Sequence, residues 1–252
     1  MKNFIFIFSL LCITVVHAGP SGQESIWQSA NQNYSDGNYA EAVDLYESIL
    51  NSGYESSELY FNLGNAFFKQ DQIPAAILYY EKARKLDPNE EHIRFNLELA
   101  NSRIIDKMEP LPDFFLKSWW NSARDIFSSN RWAWTGIFFF ILALISISIF
   151  IISFQVIRRK ISFWAGVILL GFMLISFLFS YSGYHEYSRQ KSGIIFTPTV
   201  TVKSSPNEGS VDLFVIHEGT KVLITDRVEN WSEVRLANGN VGWVRTDTFQ
   251  TI

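Results

Sequence analysis

Two stretches of this 252-residue chain, Trp132 to Ile157 and Ile161 to Tyr184, contain no Asp, Glu, Lys or Arg, and no other feature narrows the possible folds so far. As helices they extend about 39 and 36 Å, either one enough to cross a hydrocarbon core of about 30 Å with some tilt. The first holds about sixteen Ile, Leu, Phe and Val side chains at a few tenths of a kcal/mol each, with no charge opposing insertion. Only Arg158, Arg159 and Lys160 stand between the two stretches. The spacing therefore predicts a tight antiparallel transmembrane hairpin, 132–157 and 161–184, whose basic turn at 158–160 marks the cytoplasmic side. The bilayer is thus the first expected partner. Composition agrees: hydrophobic residues make up an ordinary 48%, while charged residues fall to 18%, because charge is missing from particular places.

The net charge of −4 divides by region. Residues 19–131 carry 10 basic and 17 acidic side chains, the triplet adds three positive charges, and residues 184–252 carry 7 basic and 8 acidic. No region is strongly basic, which disfavours a nucleic-acid partner. At the N-terminus Lys2 precedes an apolar run from Phe4 to Val16, followed by Val16-His17-Ala18. Residues 1–18 read as a signal peptide cleaved after Ala18, with an uncleaved anchor as the alternative. Cys12, the single cysteine, lies inside that segment, so the mature chain is expected to have no disulfide, zinc-thiolate site or Cys nucleophile. A cleaved signal puts the mature N-terminus outside, in agreement with the basic turn. In a bacterium the outside is the periplasm, so the expected localisation is then the inner (cytoplasmic) membrane with both terminal modules in the periplasm.

Neither span carries an ionisable residue, which argues against a proton relay or ion path. Small side chains recur in both: Gly136, Ala143, Ser146 and Ser153 in the first, Gly166, Ser176 and Gly183 in the second. They allow close packing within the hairpin or against a partner span. Ahead of the hairpin, Pro110 and Pro112 interrupt helix, and Phe115, Leu116, Trp119, Trp120, Ala123, Ile126 and Phe127 follow at helical spacing. Within 109–131, residues 113–129 are expected to form an amphipathic helix on the outer leaflet, or to pack on the helices before it.

Shifting the chain by 34 residues aligns Ala30 with Gly64, Ala42 with Ala76, Tyr46 with Tyr80 and Ile49 with Ala83. The second copy reads L-Y-F-N-L-G-N-A-F-F-K-Q, then I-P-A-A-I-L-Y-Y-E-K-A-R-K-L-D-P. It resembles the tetratricopeptide repeat (TPR). Small residues at 30/64 and 42/76 let antiparallel helices approach closely, Tyr46 and Tyr80 fill the seam, and Asp87-Pro88 separates one helix from the next. The pattern Ile93, Leu97, Ala100, Ile104 predicts a last helix over 90–107 that caps the stack. Residues 19–108 are therefore expected to be an all-α TPR solenoid of about 2.5 repeats.

The TPR resemblance implies a peptide-binding groove lined by the first helices of the repeats. Its candidates are Trp27, Asn31, Tyr34, Phe61, Asn65, Phe68 and Lys69, with the asparagines hydrogen-bonding an extended backbone and the aromatics receiving apolar side chains. The alternative is that these aromatics pack on neighbouring helices or the membrane. The TPR subclass that clamps a C-terminal carboxylate has lysine where Trp27 stands, so that ligand type is not indicated.

From Ile194 onward, after a linker at 185–193, the pattern changes to short alternating strands at 200–203, 213–216, 221–224, 231–236 and 241–244, with Asn238-Gly239 as a hairpin signal wanting positive φ at both positions. The series V-T-V-K-S-S-P, H-E-G-T-K-V, N-W-S-E-V-R-L and G-N-V-G-W-V resembles the bacterial SH3-like (SH3b) family, implying an all-β SH3-like barrel over 194–252. That resemblance implies binding of cell-wall peptides or proteins. Trp231 and Phe249 are the ligand candidates, while Trp243, after Gly242, is expected in the core.

His92, His185 and His217 lie far apart, and no HExxH, GxSxG, phosphate loop or CxxC occurs. No metal, cofactor or enzymatic activity is expected. The whole arrangement, with Ile93-Arg-Phe-Asn-Leu-Glu-Leu-Ala-Asn-Ser-Arg-Ile-Ile-Asp-Lys107 followed by Pro110-Leu-Pro, resembles the BatE family, the TPR proteins of the bacterial aerotolerance (Bat) operon. The resemblance implies a membrane-anchored scaffold working with von Willebrand A-domain membrane proteins and a MoxR-type ATPase in envelope or oxidative-stress tolerance. The other reading is a cell-wall-sensing receptor whose SH3b domain binds peptidoglycan.

Overall fold

Five helices come first: α1 (Ser21–Ser35), α2 (Tyr39–Asn51), α3 (Ser57–Lys69), α4 (Ile73–Leu86) and α5 (Glu91–Asn101). The computed structural model describes residues 21–108, 111, 114–189 and 191–252. The signal segment 1–18, Pro110, Pro112 and Asp113 lie outside the described residues. Local chemistry sets the helix ends. Ser56 caps α3 by accepting from the Leu59 N–H at 3.1 Å, and Pro74 sits in the first turn of α4, where a missing N–H does no harm. Gly37 and Gly53 take the positive φ that ends α1 and α2.

The 34-residue period becomes contact. Ala30, Ala42, Tyr46, Ile49, Leu59, Leu63 and Ala66 form one buried cluster, and Ala76, Ile77, Leu78, Tyr80, Leu97 and Ala100 another. A Cβ on Gly64 would stand 2.7 Å from the Tyr80 ring, so that ring lies directly against bare α3 backbone. The last helix is shorter than its apolar pattern suggests. It ends at Asn101, and residues 102–108 form an irregular strap. Ile104 joins the second helical cluster and Met108 packs on the core of the sheet that follows, so both drop out of the helix to reach new partners.

The hairpin is α7 (Ser129–Ile152) and α8 (Val156–Arg189), preceded by α6 (Phe115–Arg124). Both long helices are long and apolar enough to cross a membrane, over Ser129–Ile152 and Val156–His185. The turn is not at 158–160. It falls at Ser153-Phe154-Gln155, and Arg158, Arg159 and Lys160 lie in the first turns of α8. A charge-free run marks where apolar residues end, not where a helix ends, and a long basic side chain on a helix can reach back along it: the Arg159 guanidinium lies 5.1 Å from the Phe150 ring of α7. The small residues pack within the hairpin. Gly136 faces Phe177, Gly166 faces Ser146, and Ser146 Oγ donates to the Ser162 carbonyl at 2.8 Å. Ser153 is the exception, since it sits in the turn. The expected linker at 185–193 is largely taken up by α8, which runs to Arg189.

Seven strands form one antiparallel sheet: β1 (Ser192–Ile195), β2 (Thr199–Lys203), β3 (Asp212–His217), β4 (Lys221–Val228), β5 (Trp231–Arg235), β6 (Val241–Arg245) and β7 (Phe249–Thr251). Their order is β3-β2-β6-β5-β4-β1-β7, and the sheet is not closed. β1 and β7 were not legible as strands; they pair with each other at Ile195↔Phe249. At the β5–β6 turn only Gly239 takes positive φ, at +89°. The Gly239 N–H bonds the Leu236 carbonyl at 3.0 Å and the Leu236 N–H bonds Asn240 at 2.9 Å, so the loop has three residues and its glycine alone must be left-handed.

Sheet and repeats share a core. Ile194 of β1 is fully buried among Ile77, Leu78 and Leu97, with Phe196 and Ile252 beside it. The terminal apolar face of the helices is therefore covered by the sheet as well as by α5.

Candidate functional site

The first helices of successive repeats, α1, α3 and α5, are tied by a hydrogen-bond ladder with the period of the repeat. Asn31 Oδ1 accepts from Tyr46 Oη at 2.6 Å and from Asn62 Nδ2 at 3.4 Å. Thirty-four residues on, Asn65 Oδ1 accepts from Tyr80 Oη and from Asn96 Nδ2, both at 2.8 Å. Each asparagine oxygen thus receives the tyrosine of its own repeat and an asparagine of the next. Burial first, with the neighbouring Tyr34 and Glu58 adding to it, pushes the Tyr46 hydroxyl up to about 12 against the opposing bond to Asn62, and burial pushes Tyr80 up as well. Both phenols stay protonated donors at any ordinary pH.

The asparagines predicted to meet a ligand are therefore structural through their oxygens. Their Nδ2 groups make no hydrogen bond among the described residues and remain available as donors. The predicted aromatics are half-buried. Trp27 packs edge-on to Tyr46 at 5.7 Å, Phe61 lies against Tyr80 at 5.9 Å, Tyr34 meets Tyr39 at 5.4 Å, and Phe68 lies under the Arg103 guanidinium at 4.7 Å. Lys69 is exposed at the end of α3. Two side chains missed in the sequence extend the same face. Phe95, 64% exposed, stands 34 residues after Phe61, and Leu99, 41% exposed, stands 34 after Asn65. Their spacing, like that of Asn62 and Asn96, was available in the sequence.

In the sheet, Gly242 and Val244 point inward, where a Cβ on Gly242 would meet Val202 at 2.5 Å. Trp243 consequently lies on the outer face, half-buried, instead of in the core. Trp231 opposes Arg245 across β5–β6 on that same face, with the guanidinium 6.0 Å from its ring. Phe249 is placed differently from a ligand contact, at 8% exposure within the sheet core against Gly193.

A polar seam that no local sequence pattern signals joins the modules. Asp106 of the strap accepts from the His217 N–H at 2.6 Å and Thr220 Oγ1 at 2.7 Å, and pairs with His217 Nδ1 at 3.0 Å. Burial alone would raise Asp106, but these bonds from His217 and Thr220 hold it below its ordinary value. Buried Glu81 of α4 accepts from Arg84 at 2.6 Å and from Lys221 at 2.9 Å. No group of three or more metal-binding side chains occurs among the described residues.

Residues 57–90 match the family model of the tetratricopeptide repeat. The chain carries a tetratricopeptide repeat. That match covers α3 and α4, the pair that holds Asn65 and Tyr80. Among solved structures the chain is similar to the crystal structure of the Sgt2 TPR domain from Aspergillus fumigatus, at 14% identity and a TM-score of 0.31, over 67% of this chain and 83% of that one. No curated protein matches the chain. A TPR region is a protein-protein interaction module.

Proposed function

We propose that the protein is a non-enzymatic scaffold anchored in a bacterial cytoplasmic membrane by α7 and α8, with a TPR array and an SH3b-type β module, its sheet open, in the periplasm binding protein partners. The observation that carries the reading is the ladder face. Trp27, Phe61, Phe68 and Phe95 recur along it beside the Asn31 and Asn65 amide donors, aromatic side chains alternating with groups that fit a peptide backbone. Support for the topology comes from the shared core. Ile194 and Asp106 contribute to one interface although both apolar helices lie between them, which supports a topology with both modules on one side of the membrane and an even number of crossings. The basic triplet beside the turn then belongs on the cytoplasmic side.

The resemblance to the BatE family suggests the partners: von Willebrand A-domain membrane proteins acting with a MoxR-type ATPase in envelope or oxidative-stress tolerance. Crosslinking followed by pull-down from membranes tests this. Recovery of an A-domain membrane protein, lost with Asn65→Ala/Phe68→Ala, is the expected result; recovery unchanged by that pair excludes the ladder face as the binding surface. Protease added to spheroplasts should digest both terminal modules, and protection of either one overturns the topology.

A second reading, a wall sensor, is favoured by Trp231 and Trp243, two half-buried aromatics at diagonal positions on the outward face of β5–β6. Retention on purified sacculi that disappears in Trp231→Ala is the outcome that would select it.

A further inference from the structure

A cleft of about 1030 Å³ opens where the repeats, α6, the outer end of the hairpin and the sheet meet. Its cationic lining is Arg84 and Lys85 of α4, Arg94 of α5, Arg124 of α6 and Lys221 of β4, against the carboxylate side chains of Glu81 and Asp125. Among these side chains the cations outnumber the carboxylates by three, and Lys85 Nζ donates to the Ile252 carbonyl at 3.2 Å. Glu81 is shared between Arg84 and Lys221, and Asp125 takes the Arg124 Nε at 2.7 Å. Arg94 is exposed and makes no ion pair among the described residues. Neutral donors, Ser118, Asn121 and Ser122, line the same space, and Phe179 and Gly183 of α8 supply an apolar side.

The cleft also has a fixed depth. It lies at the end of the hairpin away from the 153–155 turn, beside α6, whose Trp119 is 67% exposed. Two contacts hold the repeats over it: Arg131 pairs with Asp87 at 3.4 Å, and Asn89 Nδ2 donates to the Ile126 carbonyl. A site cationic on one side and apolar on the other, level with an interfacial tryptophan helix, has the layout of a phospholipid at its headgroup.

We propose that this cleft binds the phosphate of an anionic phospholipid of the outer leaflet, with Arg94 and Arg84 as its principal charge contacts. The inference rests on the reading of α7 and α8 as membrane spans.

The test uses the full chain in neutral detergent, offered equal phosphatidylglycerol and phosphatidylcholine and read by native mass spectrometry. One phosphatidylglycerol retained in preference is the expected result. Arg84→Ala/Arg94→Ala should weaken retention about 30-fold, at roughly fivefold per cation facing an anionic headgroup. Arg94→Ala alone, which breaks no ion pair, should weaken it about fivefold and leave the circular dichroism melt unchanged. Arg158→Ala/Arg159→Ala, at the other end of the hairpin, should leave retention unchanged. Displacement by millimolar glycerol 3-phosphate would mean that the cleft reads the phosphoester alone, and resistance to it that the acyl chains take part; either supports the site. Equal retention of the two lipids, or phosphatidylglycerol retention indifferent to Arg94→Ala, overturns it. Alkaline carbonate extraction separates the failures. Release of the chain from membranes overturns the spans and the lipid site together, whereas a retained chain with no lipid preference overturns the lipid site alone.

Discussion

The repeats and the hairpin solve one packing problem with the same parts. In each, a glycine on one helix receives an aromatic ring from its antiparallel neighbour: Gly64 under Tyr80 in the repeats, Gly136 under Phe177 in the hairpin. The surroundings differ. Tyr80 is buried at 1% exposure and its hydroxyl is bonded to Asn65, so burial and a polar ladder act together. Phe177 is 40% exposed, and in a bilayer its exposed edge would meet lipid tails as apolar as itself. The repeats draw cohesion from excluding water, whereas the hairpin depends on close fit and a few hydroxyl bonds.

Substitutions at matched positions should therefore have unequal effects. The largest is expected from Gly64→Val, whose side chain has no room above α3; a loss of about 3 kcal/mol should appear in urea unfolding followed by circular dichroism, and a loss below about 1 kcal/mol would mean that the ring swings aside freely. Next comes Asp106→Ala, which leaves His217 and Thr220 donors without their acceptor; about 2 kcal/mol should be lost, seen as faster proteolysis of the 102–108 strap. Because Asp106 is held below its ordinary value of 3.8, the stabilisation should be complete above that value and fade as pH falls below it, and the Asp106→Ala variant should lack this dependence. Ser146→Ala in the hairpin should cost only about 0.6 kcal/mol, measured as dissociation of the helix pair in detergent. The smallest perturbation is a titration: ultraviolet absorbance should show Tyr46 silent until about pH 12, its stabilising share present below 10 and lost as pH climbs between those values.

Much of this was legible because repetition and hydropathy act over many residues. A 34-residue shift aligned Tyr46 with Tyr80 and located four of the helices, and the charge-free runs located two more. Boundaries were less legible. The hairpin turn moved to Ser153-Phe154-Gln155 because basic side chains are tolerated on a helix end, and α5 stopped at Asn101 because Ile104 and Met108 had partners elsewhere. Among the candidate residues, Asn31 and Asn65 did gather on one face, but their oxygens serve the ladder. Phe249 went into the core because β7 pairs with β1, a pairing between chain segments more than fifty residues apart that no local pattern announces. Trp243 went outward by the two-residue alternation that already placed Gly242 and Val244 inside. The contact between Asp106 and His217 crosses the whole hairpin in sequence and had no local signal at all.

That separation sets an order of events in biosynthesis. Asp106 leaves the ribosome 111 residues ahead of His217, and Ile77 and Ile104 long before Ile194. At synthesis rates of about 5–20 residues per second, the interval is on the order of ten seconds. Throughout it the helices stand with an uncovered apolar end and an unanswered carboxylate, while the two long apolar helices are being made. A newly made copy is at its most vulnerable to proteases and to mispairing with another chain in that window.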